Sequence, residues 1–358
     1  MSSWASRVIG GVLLLLTVGA LALWRLHDGS PDHALAAPAS VDEVVSAISG
    51  MVPGAQRDAH VPGVGVAVTA GGELVWSQTF GVSADTVFEA GSISKTVAAA
   101  AILALADDGV VDLDEPVSTY LRSWRLPADF PDPDDVTLRH LLSHTAGIDT
   151  PGYVGVPADR PLPSTADSLA GAATGSAVRQ SETPGEYTYS GGGFTIAQQV
   201  VEDVTGEPFA DVVRREVLEP LGMSSSGYTC TQDDRAGPDD AVGHLADGAA
   251  APRYRYAEAA AAGLCTTTDD LARFAAWLAS GDPRAEAMRE AAPGTDGAYG
   301  LGVEIEAGST VGHVGINRGF HAELLVNPED EVGLVVLTDS DRGSDVVDAV
   351  LNAWRAAA

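Results

Sequence analysis

The sequence predicts an α+β fold: one mainly antiparallel sheet built from strands at both ends of the chain, with flanking helices and a helical middle lobe over roughly 109–297. Three observations lead there. β-branched runs cluster at residues 64–80 and again between about 300 and 337. The stretch between them carries mostly helical patterns and Pro/Gly-rich loops. Strands also need partners, so the two terminal groups most simply pair with each other, with helices covering the faces. A cleft between sheet and lobe is the natural place for a site.

Composition bounds the rest. With 358 residues, 45% of them hydrophobic and 20% charged, the chain can bury a sizeable core. A net charge of −30 excludes nucleic acid and anionic membrane surfaces as partners, since both repel such a field. Residues 8–24 form an uncharged apolar run after Arg7, short for a spanning helix and long for a signal-peptide core. Residues 1–24 therefore read as an export signal or an uncleaved membrane anchor. A small-residue cleavage pattern, Ala34-Leu35-Ala36, lies well beyond the run. Residues 25–40, rich in Asp, Pro and Ala, read as a linker, and 41–358 as the folded domain. Either way the domain is expected to be extracytoplasmic, secreted or held at the membrane by this segment. The two cysteines, Cys230 and Cys265, suit an oxidising compartment, where they either pair or stay as two buried thiols.

Taken in order, residues 41–57 read as an amphipathic helix with Val41, Val44, Val45 and Ile48 on one side. Residues 64–69 and 73–80 form a hairpin around Gly71-Gly72. An all-round apolar helix begins at Ser92, and such a helix belongs in a core. Residues 111–121 give a turn and a short helix, and 138–147 a helix closed by Gly147. After a loop-rich stretch, helices are expected over 194–204, 208–218 and 267–279. Strands follow at 300–305, 320–326 and 332–337, with Gly312-His313-Val314-Gly315 preceding a strand, and a last helix covers 344–354.

Chemistry first shows at Ser92 and Lys95. Three residues apart at a helix start, they share one face. Lys95 is the only lysine in the chain, against 19 arginines. Arginine cannot release its proton in a protein, whereas a desolvated lysine can, and the helix N-terminus acts in the same direction. A serine needs such a base to become a nucleophile. Other bases on offer are Tyr189, ahead of Gly191-Gly192-Gly193, and a histidine. His140 and His144, four apart on one expected helix, lack a third ligand, so capping or core roles are expected and no metal site. No Gly-x-Ser-x-Gly elbow is present.

Phe88-Glu89-Ala90-Gly91-Ser92-Ile93-Ser94-Lys95 resembles the first motif of the class C β-lactamase/DD-peptidase family of serine hydrolases. The resemblance runs from about residue 42 to 355. Leu141-Leu142-Ser143-His144-Thr145-Ala146-Gly147 resembles the family's LLxHTSG landmark, and Tyr189-Ser190-Gly191 sits where the family has Tyr-x-Asn. Glu219-Pro220-Leu221-Gly222-Met223 and the stretch 263–274 resemble two further landmarks. His313-Val314-Gly315 sits at the Lys-Thr-Gly or His-x-Gly position. The resemblance implies a β-lactamase/transpeptidase-like fold with Ser92 as acylated nucleophile and Lys95 and Tyr189 sharing and relaying its proton. It implies that His313 lines the third strand of the site, and that an oxyanion hole forms from the N–H groups of Ser92 and of Ile316, the residue after Gly315.

Two departures bear on substrate. Gly191 replaces the family's Asn, removing an amide that contacts the substrate, and His313 replaces the Lys that meets a carboxylate. Both weaken β-lactam hydrolysis and leave room for an esterase or another peptidase. The expected function is acyl transfer to water through a Ser92 ester, on a small-molecule or peptidoglycan-like peptide, β-lactam or ester substrate, without cofactor. The alternative is a slowly acylated penicillin-binding or sensor protein with little turnover.

Overall fold

The central sheet draws its strands from both chain ends. In the computed structural model, which describes residues 34–358 except 173, 174, 176, 229–239 and 308, the strand order is β2-β1-β10-β9-β8-β7. These are β1 (Val64–Ala70), β2 (Glu73–Phe80), β7 (Glu304–Ile305), β8 (Val311–Asn317), β9 (Phe320–Asn327) and β10 (Val332–Thr338). Every neighbouring pair is antiparallel, and the two ends of the chain meet where Val64 of β1 faces Thr338 of β10. Two further pairs are two residues long: β3 (Phe88–Glu89) with β6 (Cys265–Thr266), and β4 (Val156–Pro157) with β5 (Tyr254–Arg255). The apolar run 8–24 and Cys230 lie outside the described residues.

Both faces of the central strands β1, β10 and β9 are buried, which is why β1 and β10 read as near-continuous apolar runs, whereas the edge strand β2 is half-buried and mixes in polar residues. On one face, Val64, Val66 and Val68 of β1 and Leu334 and Val336 of β10 pack with Val44, Ile48 and Val52. These last three come from the helix Val41–Ala59, and Val346, Val350 and Trp354 of the helix Gly343–Ala357 complete the layer. Ser40 caps the first helix by accepting from Glu43 N, and His60 closes it in a left-handed conformation. On the other face, Ala67, Leu324, Val335 and Leu337 meet the helices Ile93–Asp107 and Thr268–Ala279. Gly65 faces this second layer, and a Cβ there would collide with the Thr268 hydroxyl. Residues 34–36, inside the segment read as a linker, are held to the sheet. Leu35 N donates to Thr310 Oγ1 (2.9 Å), Asn327 Nδ2 to Leu35 O (2.7 Å) and Trp354 Nε1 to Ala36 O (3.0 Å). Among the described residues no helix is long and apolar enough to cross a membrane.

Three elements differ from the sequence reading. The helix expected over 138–147 spans only Leu138–Leu142, because His144 already takes a left-handed turn (φ 60°), three residues ahead of the one at Gly147 (φ 67°), and Thr145 N bonds back to His140 O. Of the strand expected at 300–305, only Glu304–Ile305 pairs. A Cβ on Gly300 there would strike the Met288 carbonyl, and Gly302 turns with φ 75°. Conversely, 311–317 is a full strand. Its two glycines serve close approach, not a turn: a Cβ on Gly312 would strike the Leu324 carbonyl, and one on Gly315 the Ala90 carbonyl.

That last contact sets the relation of sheet to lobe. β7 reaches β8 only at Val311 and Gly312, so beyond them the turn at Ala90-Gly91 packs against β8 in place of a strand. Gly315→Ala should therefore cost about 1–3 kcal/mol as an overpacked contact, read as a lowered urea midpoint with an unchanged slope.

Candidate active site

Ser92 is fixed from three sides. Gly91 turns with φ 53°, and a Cβ there would collide with Ile316 N, so only glycine brings the serine turn this close to β8. Ala90 N donates to Leu264 O (2.8 Å), and Leu264 N to Ser94 Oγ (2.9 Å), tying the turn to β6. The helix Ile93–Asp107, buried from Ile93 through Leu105, then holds Ser92 at its N-cap position. The Ser92 side chain makes no capping bond, which leaves its hydroxyl for other partners.

Those partners are Lys95 and Tyr189. Lys95 Nζ lies 3.0 Å from Ser92 Oγ and donates to Ala261 O at 2.8 Å. It also lies 5.1 Å from the Tyr189 ring centre. The Tyr189 hydroxyl shares a hydrogen bond with Ser92. Burial brings the Lys95 ammonium down from the usual lysine range to about 7, the Glu304 carboxylate acting weakly the other way. Burial pushes the Tyr189 phenol up, so it keeps its proton at neutral pH, although the bond to Ser92 offsets part of this. The pair thus splits into a group that can take a proton and a group that holds one.

Tyr189 is positioned by residues behind it. Ser190 caps the helix Gly191–Thr205, accepting from Gly193 N at 3.1 Å, and its own N–H donates to His144 Nδ1 at 3.0 Å. The His144 ring packs on Tyr189 (4.4 Å between centres) and Tyr299 (4.8 Å). Burial holds His144 well below the ordinary histidine range and therefore neutral, which lets Nδ1 accept. His144 thus takes the core role expected for it, but off the helix that carries His140.

The other residues singled out from sequence divide. Ile316 lines the cleft beside Ser92, and Gly315 sits directly beneath the serine turn. His313 lies behind the cleft at 1% exposure, its ring 6.1 Å from Tyr189 and its Nδ1 donating to Val314 O at 2.6 Å. Gly191 is buried against the loop 151–153: its N–H donates to Pro151 O, and a Cβ would meet Tyr153 Cε2 at 3.3 Å. Tyr153 therefore stands where a longer side chain at 191 would project. Its hydroxyl accepts from Thr195 at 2.8 Å.

Sequence reasoning missed Glu304, Tyr153, Tyr256 and Arg318. Glu304 of β7 is the carboxylate that acts on Lys95, Tyr187, Tyr189 and Tyr299, and it lies 3.9 Å from His313 Nδ1. Tyr153, Tyr256 and Arg318 line the open cleft with Ser92, Lys95 and Ile316. Cys265, on β6, is disulfide-bonded, and the chain's one other cysteine, Cys230, lies outside the described residues.

A family model described as Beta-lactamase matches residues 42–358. The chain is similar to a Bacillus subtilis protein named as a penicillin-binding protein, PbpX, with 27% identity over 265 residues, covering 70% of this chain and 63% of the relative. It is also similar to the esterase EstB of Burkholderia gladioli, at 30% identity over 202 residues, 51% of this chain and 50% of that one. The matches thus span less than two thirds of these relatives' own lengths. A D-stereospecific amidohydrolase from Streptomyces sp. has the same fold, with a TM-score of 0.69 at 23% identity over 85% of this chain and 97% of that one.

The geometry makes pH dependence specific. A reaction that uses the neutral Lys95 amine should gain rate as pH rises through about 7 and level off above it. Since Glu304 favours the charged amine, Glu304→Gln should move that limb to lower pH without abolishing activity. A kcat/KM profile on an ester, run for both proteins, checks the direction.

Proposed function

The chain belongs to the β-lactamase family of serine hydrolases, and from that premise we propose that it is an exported hydrolase working through an ester on Ser92. The observation that carries the reading is the 3.0 Å approach of Lys95 Nζ to Ser92 Oγ, with Tyr189 on the same hydroxyl. Lys95, neutral in a good fraction of molecules near pH 7, removes the hydroxyl proton as Oγ attacks the acyl carbonyl. The developing oxyanion lies between the N–H groups of Ser92 and Ile316, where preorganised donors act on charge as it forms. Collapse of the tetrahedral adduct breaks the bond to the leaving group, which takes the proton that Tyr189 holds; Lys95 returns its proton to the phenol. Water then attacks the ester by the same relay and frees Ser92 with the acid.

The substrate class we assign is small acyl esters and amides, in keeping with the esterase and amidohydrolase among its relatives. Two features speak against β-lactams as the main substrate: Tyr153 packs over Gly191, and His313 is buried at 1% exposure, so neither supplies the cleft with a polar contact. Export is supported by the apolar run at 8–24 and by the disulfide at Cys265, a bond that belongs in oxidising compartments.

Ser92→Ala should abolish hydrolysis of a nitrophenyl ester, and intact-mass spectrometry of the wild type during turnover should show one acyl group that the variant lacks. Wild-type rates from Ser92→Ala would refute the nucleophile. Lys95→Arg keeps the charge but not the base, so kcat should fall by about 10²-fold or more with the fold retained by circular dichroism. Stoichiometric labelling of Ser92 by a fluorescent penicillin without turnover would instead identify a sensor.

A further inference from the structure

We propose that Arg318 selects the acyl half of the substrate, and that this half carries a carboxylate. The inference rests on the reading of Ser92 as nucleophile and of Ile316 N–H as an oxyanion donor. It begins with an imbalance of charge. In a chain of net charge −30, arginines have carboxylates in excess: Arg139, Arg253 and Arg273 are among those that pair with them, and Arg57, Arg125 and Arg179, which show no such pair among the described residues, do not line the Ser92 cleft. Arg318, in the turn between β8 and β9, has neither an ion-pair nor a hydrogen-bond partner among the described residues, yet it lines the cleft that holds Ser92.

Its position along β8 says which half of the substrate it meets. The leaving group must lie beside the residue that returns a proton. That residue, Tyr189, packs toward His313. Arg318 lies past Ile316, at the other end of the strand, and five residues of extended chain separate it from His313 by about 17 Å. With the carbonyl oxygen held at Ile316, the acyl chain runs toward Arg318 and the leaving group away from it.

The wall between offers little else to bind an ionic group. Tyr153 and Tyr256 line it as neutral phenols, burial holding both well above the ordinary tyrosine range. The Asn317 amide is occupied, donating to Glu89 Oε2 at 2.7 Å and to Ala262 O at 3.1 Å. A guanidinium with its donors uncommitted accepts a carboxylate through two parallel hydrogen bonds, a geometry a neutral ester or amide cannot match. The ligand class is thus an acyl group with a short apolar body and an anionic end, such as the half-ester of a dicarboxylic acid.

The test uses two nitrophenyl esters of equal chain length, mono(para-nitrophenyl) glutarate and para-nitrophenyl valerate, at low ionic strength. The full chain should favour the glutarate ester in kcat/KM by about tenfold. Arg318→Ala should remove that preference, mainly through KM, while leaving valerate within about twofold, and Arg318→Glu should reverse it. Added salt should erode the wild-type preference. Equal losses on both esters in Arg318→Ala, or no preference in the wild type, would overturn the assignment. Ser92-dependent hydrolysis of valerate would continue in that case, so the failure would fall on Arg318 and not on the nucleophile.

Discussion

The site depends on keeping one amine away from water. Lys95 is 2% exposed, inside a helix whose neighbours are buried apolar residues, and burial brings its pKa to about 7. Desolvation alone would favour a neutral lysine hidden in the core with nothing to do. Here the chain also supplies a carbonyl, Ala261 O, and a hydroxyl, Ser92 Oγ, so the nitrogen is oriented as well as dried. A residue that can gain or lose a proton near neutrality, with its direction fixed, is what a nucleophilic serine requires. The surrounding tyrosines and His144 extend the same dry region, and Glu304 is the carboxylate that reaches it electrostatically.

Much of this was legible in the residues, for physical reasons. An apolar helix with no polar face must be buried, and the single lysine, in a chain that otherwise uses arginine, marks its first turn. The pairing of the two chain ends followed from the need of strands for partners. What stayed hidden depended on contacts between distant residues. Gly312 and Gly315 resemble turn formers, and only the packing of β8 on the serine turn shows that they serve close approach. His140 and His144 share a helical spacing, but the backbone leaves the helix between them. Glu304 has no local pattern to distinguish it from the chain's many other acidic residues, and Tyr153 lies in a Pro- and Gly-rich stretch that carries no periodic signal. Arg318 is invisible to pattern because what sets it apart is its place on the wall of the Ser92 cleft, which only the folded chain shows.

Glycine is the recurring device wherever two backbones must touch. Gly91, Gly315 and Gly65 bring helices and sheet closer than any Cβ would permit. The serine turn is thereby set directly on β8, where a methyl group would strike backbone, and the helix Thr268–Ala279 is set on β1, where it would strike the Thr268 side chain. Gly191 belongs to the same pattern on the opposite wall, where its lack of a side chain gives Tyr153 its place. The cleft is therefore shaped as much by missing atoms as by functional groups.

The attachment of Leu35 has a consequence for how the domain is presented. Leu35 is bonded at Thr310, next to the first residue of β8, whereas Ile316 lies beside the serine turn near the strand's other end. At roughly 3.3 Å per residue the two points are some 20 Å apart. Leu35 is thus pinned beside one end of β8, while the serine turn packs near the other.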